Sequence, residues 1–185
     1  MQNVQSLRAF SHAKSLTFTA VFAALCCVGT LIVRIPLPNG YLNTGDVFVL
    51  LAAWCLGPLY GGVAAGVGSA LADIISGYAI YCPATFLIKG GDALLAFTVC
   101  LLLKKLIKKE SLDFIPRFLS ACVGELFMVL GYFLYECILY GYGGAISTVS
   151  GNLLQGALCL CLATMIFSLL YPVRAIRNFF PALGN

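Results

Sequence analysis

Eight polar or ionisable side chains interrupt apolar stretches of this chain, and their types limit the chemistry it can do. They are Asp46, Asp73, Lys89, Asp92, Glu125, Glu136, Asn152 and Gln155. Carboxylates and a lysine exchange protons, pair with each other or hold a polar ligand, and amides both donate and accept hydrogen bonds. In an apolar setting each charge costs about 2.5–3.5 kcal/mol on insertion scales, so such groups are normally paired, turned inward or functional.

Motifs for other kinds of chemistry are absent from the sequence. The only histidine, His12, lies in the polar amino-terminal segment, and the nine cysteines form no CxxC pair, so we expect no metal site and no cofactor. Lys89 to Gly91 lacks the glycine loop of a phosphate-binding motif, and no Ser-His, Ser-Lys or HExxH set indicates a hydrolase. Ligand capture without an energy source of its own is the function that remains.

The composition places these polar groups in a membrane. Of the 185 residues, 61% are apolar and 10% are charged, whereas soluble domains have roughly 45–50% and 25%. The net charge of +4 comes from Lys and Arg near the ends of apolar stretches, which makes nucleic-acid binding improbable. We therefore predict one integral-membrane domain covering residues 1–185.

Six apolar stretches are candidate spans of an all-α bundle of six transmembrane helices. They are Leu16–Val33, Gly45–Leu56, Tyr60–Ile80, Ala84–Leu103, Phe118–Leu139 and Ile146–Tyr171. The second would reach only about 18 Å as a helix, so it needs flanking residues, a thinned bilayer or neighbouring helices to cover it. Residues 1–15 and 172–185 are the expected cytoplasmic ends.

Basic residues set the expected direction of the spans. Nine of the eleven lie before span one, between spans four and five, or after span six: Arg8, Lys14, Lys104, Lys105, Lys108, Lys109, Arg117, Arg174 and Arg177. The positive-inside rule makes these three regions cytoplasmic, which six crossings allow. Five tyrosines then form an outer aromatic belt, namely Tyr41, Tyr78, Tyr81, Tyr140 and Tyr142.

With this direction, polar residues of five spans converge on the outer half of the membrane. Lys89 and Asp92 lie about 7 and 12 Å in from the outer end of span four, and Asn152 and Gln155 share one face of span six. Only Glu125 lies in the inner half. The sequence therefore predicts a hydrated cavity that opens outward. The alternative is mutual neutralisation, with Lys89 paired to Asp92 or to Asp73.

The connection before span two is either a plain loop or a lid over that cavity. Pro36 and Pro38 stiffen it, and Asn39-Gly40 is a turn signal. Tyr41 and Asn43 within it supply a ring face and an amide, as ligand pockets require.

Small residues predict surfaces where helices approach closely. Span three has two such faces: Gly62, Gly66 and Ala70, and Ala65, Ser69 and Ala72. Span three is therefore expected at the centre of the bundle. In span one, Ala20 and Ala24 form a similar surface, and spacing alone favours packing inside the bundle over a partner helix.

The stretch from Asn43 to Gly91 resembles the substrate-binding S components of energy-coupling factor (ECF) transporters, in the riboflavin-type subgroup. The matching motifs are the Asn-x-Gly-Asp that opens span two, Gly57-Pro58, the GSALAD run from Gly68 to Asp73, and Tyr-x-Pro-Ala-Thr-Phe-x-x-Lys-Gly from Tyr81 to Gly90. The length and the six expected spans fit the same family.

The resemblance implies a multi-pass protein of a bacterial cell membrane that binds a water-soluble vitamin or precursor from outside. It also implies partners, namely a transmembrane coupling subunit and two cytoplasmic ATPases that drive release inward. Ala20 and Ala24 match the AxxxA surface that meets the coupling subunit, which reverses the expectation from spacing. The implied ligand cavity lies in the outer half, under the first outer loop.

Nine residues are the expected substrate contacts: Tyr41, Asn43, Asp46, Tyr81, Lys89, Tyr132, Glu136, Asn152 and Gln155. The tyrosines favour a flat heteroaromatic ring, which riboflavin, pyridoxine and hydroxymethylpyrimidine all have. Two alternatives stay open at this point. One is an intramembrane enzyme using Asp73, Asp92 or Glu136, and the other is a structural subunit whose polar groups all pair with each other.

Overall fold

The computed structural model describes residues 12–37, 39–107, 114–173, 176 and 180. Most of the two expected cytoplasmic ends lies outside this part of the chain. So do six residues that the sequence predictions used: Arg8, Pro38, Lys108, Lys109, Arg174 and Arg177. The first helix begins at His12, inside the segment that was expected to precede span one.

Four helices and one short hairpin make up the described fold. In chain order they are α1 (His12–Ile32), β1 (Arg34–Leu37), β2 (Gly40–Asn43), α2 (Gly45–Ile75), α3 (Cys82–Leu106) and α4 (Phe114–Leu170). All four helices are long and apolar enough to cross a membrane. Helix α1 packs against α2, α2 against α3, and α3 against α4. The fold is helical, as the composition predicts, apart from the hairpin.

The six expected spans appear as four helices, two of them sharply broken, because single glycines replace two of the expected connections. Gly57 in α2 has φ 82° and Gly141 in α4 has φ 74°, in the left-handed region that glycine enters at no steric cost. Pro58 follows Gly57 at the start of the next helical segment, where its missing N–H breaks no hydrogen bond. The helical path thus breaks sharply at one residue in each case.

Each of the two broken helices folds back on itself. A Cβ atom at Gly61 would lie 2.7 Å from the carbonyl oxygen of Ala52, on the other side of Gly57. A Cβ atom at Gly156 would lie 3.1 Å from the Cβ of Glu125, on the other side of Gly141. The halves of α2 and of α4 therefore run side by side.

Helix α2 is the most deeply buried of the four, with 61% of its most apolar window inside the structure. A Cβ atom at Gly66 would lie 2.7 Å from the carbonyl oxygen of Phe86 in α3, and one at Gly68 would lie 2.2 Å from that of Ala23 in α1. At these distances any residue other than glycine would force the backbones of the two helices apart. The expectation that this segment is central, with backbones close on two faces, is confirmed.

The connection expected as a loop or lid is an antiparallel hairpin. Arg34 pairs with Asn43, and Leu37 pairs with Gly40. A two-stranded sheet consists of edge strands, so Pro36 is tolerated in β1 although it cannot donate to a ladder. Alternation along β2 places Tyr41 and Asn43 on one face of the hairpin.

The surface of α1 that carries Ala20 and Ala24 does not pack against the described residues of the chain. Both alanines are exposed, and Leu16, Val21 and Leu25 around them are between 38% and 62% exposed. The packing that spacing alone favours is therefore wrong for this pair.

Candidate functional site

A partly open pocket lies between the hairpin and helices α2, α3 and α4. The space between its walls, counted out into the open solvent at its mouth, is about 450 Å³. Its walls are Leu37, Gly40, Tyr41, Asn43, Asp73, Tyr78, Tyr81, Thr85, Tyr132, Glu136, Thr148, Asn152 and Gln155. Every helix wall thus contributes a polar side chain in an otherwise apolar bundle.

The structure brings seven of the nine expected contact residues to the pocket wall: Tyr41, Asn43, Tyr81, Tyr132, Glu136, Asn152 and Gln155. The other two, Asp46 and Lys89, do not line it. They form a buried ion pair with each other. Lys89 therefore neutralises Asp46, not Asp92 or Asp73 as the sequence alternative supposed.

Gln155 connects that ion pair to the hairpin. Its side-chain nitrogen donates to Oδ2 of Asp46 at 2.6 Å. Its Oε1 accepts from the backbone N–H of Asn43 at 2.8 Å and from the Asn43 amide at 3.2 Å. The Lys89 ammonium also lies 5.4 Å from the centre of the Tyr132 ring. One chain of polar contacts thus joins β2, α2, α3 and both halves of α4.

Hydrogen bonds from tyrosines hold the hairpin over the pocket. The Tyr41 hydroxyl donates to Oδ1 of Asp73 at 2.9 Å, and the Tyr81 hydroxyl donates to the carbonyl of Asn39 at 2.5 Å. The Asn39 amide donates to the carbonyl of Gly144 at 2.9 Å. Burial, together with the nearby Asp73, raises the pKa of Tyr41 above its ordinary value, so this phenol remains a donor at neutral pH.

Aromatic rings form one wall of the pocket, centred on the buried Tyr81. The ring of Tyr81 lies 6.3 Å from that of Tyr78 and 6.4 Å from that of Tyr132, and Tyr78 lies 5.2 Å from Tyr41. Three tyrosines of the expected outer belt therefore face the pocket. Tyr142 of that belt is 70% exposed instead. A wall of rings suits a flat heteroaromatic ligand.

Two carboxylates and one amide supply the polar lining. Glu136 accepts from the hydroxyl of Thr148 and from that of Tyr81. Oδ2 of Asp73 is buried and accepts no hydrogen bond from the described residues. The Asn152 amide, 8% exposed, likewise has no hydrogen-bond partner in the described part of the chain. These atoms are available to a ligand.

Six wall residues were missed by the sequence prediction: Leu37, Gly40, Asp73, Tyr78, Thr85 and Thr148. A signal existed for Thr148, which lies four and seven positions before Asn152 and Gln155 and so shares their helix face. Thr85 lies in the Pro-Ala-Thr motif of α3 and accepts a hydrogen bond from the Tyr132 hydroxyl at 3.1 Å. Leu37 and Gly40 follow only from the hairpin, which the sequence did not reveal.

Asp92 and Glu125 lie away from this pocket. Both are buried, and neither carboxyl group has a hydrogen-bond partner among the described residues. Glu125 instead lines a second, largely apolar space between the two halves of α4. No group of three or more His, Cys, Asp or Glu within the described ranges has a geometry that holds a metal ion.

Comparison with known proteins gives a consistent set of relatives. The family model of the ECF-type riboflavin transporter S component matches residues 11–172. An uncharacterized protein of Pyrococcus woesei is 39% identical over 130 residues, which cover 69% of this chain and 82% of that protein. The thiamine precursor transporter HmpT of Lactococcus lactis subsp. cremoris (strain MG1363) is 26% identical over 171 residues, covering 91% of this chain and 94% of HmpT.

A solved structure shows a similar fold. The S component of a bacterial ECF transporter superposes with a TM-score of 0.62 at 22% identity, and the match covers 91% of this chain and 98% of the other. At that identity the likeness concerns the fold alone.

Proposed function

The chain belongs to the ECF-type riboflavin transporter S component family, and on that premise we propose that it captures a water-soluble vitamin or vitamin precursor in the pocket under the hairpin. Members of this family are multi-pass membrane proteins and not enzymes. An intramembrane enzyme built on Asp73, Asp92 or Glu136 is therefore set aside.

The observation that carries the proposal is a polar pocket with unsatisfied groups inside an apolar helical protein. Buried polar groups are normally hydrogen-bonded, yet Asp73 keeps one buried oxygen without a hydrogen bond of ordinary geometry among the described residues. The Asn152 amide lines the same pocket. A structural subunit would pair these groups with each other. A bound polar ligand would satisfy both.

The nine expected contact residues divide into three roles in this proposal. Tyr41, Tyr81 and Tyr132 hold the ring of the ligand, and Asn43, Glu136, Asn152 and Gln155 bind its polar edges. Asp46 and Lys89 act from behind the wall, because their ion pair fixes Gln155, which fixes the hairpin. Asp73, which the sequence prediction left out of the site, joins the polar contacts.

The proposed topology is six crossings in one membrane domain over residues 1–185. The chain reversals at Gly57 and Gly141 divide α2 and α4 into two crossings each. An even number of crossings places both chain ends on one side, and the basic residues make that side cytoplasmic. The hairpin and the pocket then face outward.

The proposed partners are a transmembrane coupling subunit and two ATPases, which together would drive uptake with ATP. The exposed surface of α1 around Ala20 and Ala24 supports this part of the proposal. Small residues on an exposed, lipid-facing helix let a second helix approach closely, and no other part of the described chain covers them.

Three ligands are proposed: riboflavin, pyridoxine and hydroxymethylpyrimidine. The family name refers to riboflavin, and the related HmpT transports a thiamine precursor. All three compounds have a flat heteroaromatic ring of the kind the tyrosine wall suits.

Mass spectrometry of small molecules that co-purify with the protein tests the proposal. The chain is extracted in mild detergent from cells grown on rich medium, and an Asn152→Leu variant is purified in parallel. We expect a vitamin or precursor with the wild type and at least tenfold less with the variant. If both preparations carry no such compound, and neither binds any of the three when they are added, the proposed function is wrong.

A further inference from the structure

We propose that the pocket selects its ligand by charge: it accepts a heteroaromatic compound that carries no negative charge and offers hydrogen-bond donors to Asp73 and Glu136, and it rejects the phosphate ester of the same compound. This inference rests on the proposed function and names the substrate class of that site.

The first step is the state of Asp73. Its side chain is 7% exposed and lines the pocket. Oδ1 accepts from the Tyr41 hydroxyl, and the Thr85 hydroxyl also lies near the carboxyl group. Oδ2 has no hydrogen bond of ordinary geometry in the described part of the chain. A buried carboxylate oxygen without a donor costs free energy. A ligand N–H or O–H at this position would supply the missing hydrogen bond.

The second step is Glu136, on the opposite half of α4 from Asn152. It is 3% exposed, and the hydrogen bonds that it receives from the described residues come from hydroxyl groups, those of Thr148 and Tyr81. Hydroxyl donors stabilise a carboxylate without neutralising its charge. The pocket thus contains two carboxyl groups on different helices, and both are acceptors.

The third step concerns the nearby cationic side chains, which interact with groups outside the pocket. No Lys, Arg or His of the described residues lines the pocket. The ammonium of Lys89 forms an ion pair with the carboxylate of Asp46. Arg34, on the exposed side of the hairpin, donates to the hydroxyl of Ser76 at 3.0 Å. A phosphate group in the pocket would therefore face two carboxyl groups with no cation opposite it.

The hydroxyl donors of the pocket are also committed. The phenols of Tyr41, Tyr81 and Tyr132 already donate to Asp73, to Asn39 and Glu136, and to Thr85. The Asn152 amide still offers N–H groups, but an anion site needs several convergent N–H donors or a cation. The carboxyl groups and ring faces of this pocket match an amino or hydroxyl substituent on a flat heteroaromatic ring.

Three matched pairs of compounds test the inference on the purified full-length chain in detergent or nanodiscs. They are riboflavin and its 5′-phosphate, pyridoxine and its 5′-phosphate, and hydroxymethylpyrimidine and its phosphate. Equilibrium binding is measured for each. For whichever free compound binds, we expect its ester to bind roughly 100-fold more weakly, because like charges brought together in a buried site repel strongly.

Variants test whether the carboxyl groups of Asp73 and Glu136 cause the weaker binding of the phosphate ester. The double variant Asp73→Asn/Glu136→Gln keeps the shapes and should narrow the ratio between free compound and ester to about tenfold or less. Glu125→Gln, a buried carboxyl outside the pocket, is the control and should leave the ratio unchanged. The comparison of free compound and phosphate ester on the wild type needs no variant. It therefore tests the charge selection even if the double variant fails to fold.

The outcomes separate the two proposals. If a free compound binds and its ester binds as tightly, the charge selection is wrong while the proposed function stands. The charge selection is also wrong if a correctly folded double variant keeps the full ratio. If no member of any pair binds the wild type, the proposed function fails and this inference fails with it.

Discussion

At the level of single residues, the Asp46–Lys89 ion pair holds the back of the pocket together. Both residues are at most 3% exposed, and Asp46 has its second oxygen bonded to Gln155. Removing one partner of a buried pair leaves the other charge uncompensated, at a cost of about 3–5 kcal/mol, whereas replacing both is often close to neutral.

The first prediction follows from this pair. Lys89→Met should lower the thermal stability of the protein strongly, since Asp46 is then buried without a counter-charge. The double variant Asp46→Asn/Lys89→Met should recover most of the loss, because asparagine still accepts from Gln155. Thermal unfolding in detergent measures both, with the exposed Lys105→Met as control. Equal losses in the single and the double variant would show that the pair is not the cause.

Most of the wall could be predicted at this level, and the partner of Lys89 could not. Depth in the membrane follows from 1.5 Å per residue along a helix, so the gathering of Glu136, Asn152 and Gln155 was readable from the spans. The rotation of α2 relative to α3 cannot be predicted from the sequence in this way. This rotation determines that Lys89 contacts Asp46, 43 positions earlier in the chain, and not Asp92, which is only three positions away.

At the level of elements, the hairpin is held partly by packing on one glycine. A Cβ atom at Gly151 would lie 2.5 Å from a methyl group of Leu37. The clash is with the end of a flexible side chain, so the helix keeps its place and the Leu37 side chain, which lines the pocket, must move.

The second prediction is therefore that Gly151→Val weakens ligand binding by about tenfold while the melting temperature changes little, since the displaced side chain lies on the surface hairpin. Isothermal titration with the ligand identified by mass spectrometry measures the loss. Gly143→Ala is the control, because a Cβ atom there has nothing within 4 Å. Unchanged affinity in Gly151→Val would mean that the hairpin position does not matter for binding.

The third prediction concerns the contact between α1 and α2. Gly68→Ala places a methyl group 2.2 Å from the backbone oxygen of Ala23, and neither backbone can move without separating the helices. Overpacking of this kind costs about 1–3 kcal/mol, so the melting temperature should fall by several degrees. The same Gly143→Ala control should melt like the wild type. A stable Gly68→Ala protein would contradict the packing of α1 on α2.

The helices and the places where they break were predictable, and the form of the breaks was not. Long apolar runs give the spans, because a helix must cover the hydrocarbon layer. The expected spans already end at Leu56 and Leu139, so Gly57 and Gly141 lie in the expected connections. The sharp reversal at a single glycine with positive φ could not be read from the sequence. The hairpin was also not predicted, since Pro36 lowers the strand signal of β1.

At the level of the whole molecule, the ligand pocket and the exposed surface of α1 are separate features. Ala20 and Ala24 do not contact the pocket, so the two functions should be separable by mutation.

The fourth prediction uses that separation. The double variant Ala20→Leu/Ala24→Leu enlarges both small residues and should reduce assembly with the coupling subunit and its ATPases, because the helices can no longer approach closely. Co-purification with the tagged coupling module measures assembly, and ligand titration of the isolated chain should give the wild-type affinity. Normal assembly of the variant would show that the module binds another surface.

The pocket under the hairpin is the feature of the whole molecule that binding experiments address without any partner. Asn152 faces it with an unbonded amide, whereas Leu154, two positions along the same helix, is 54% exposed on the outside. Equilibrium titration compares Asn152→Leu and Leu154→Ala with the wild type, using the compound that co-purifies. We expect Asn152→Leu to lose at least about tenfold in affinity, as loss of one buried hydrogen bond implies, and Leu154→Ala to lose none. Equal affinities in all three proteins would contradict a ligand site beneath the hairpin.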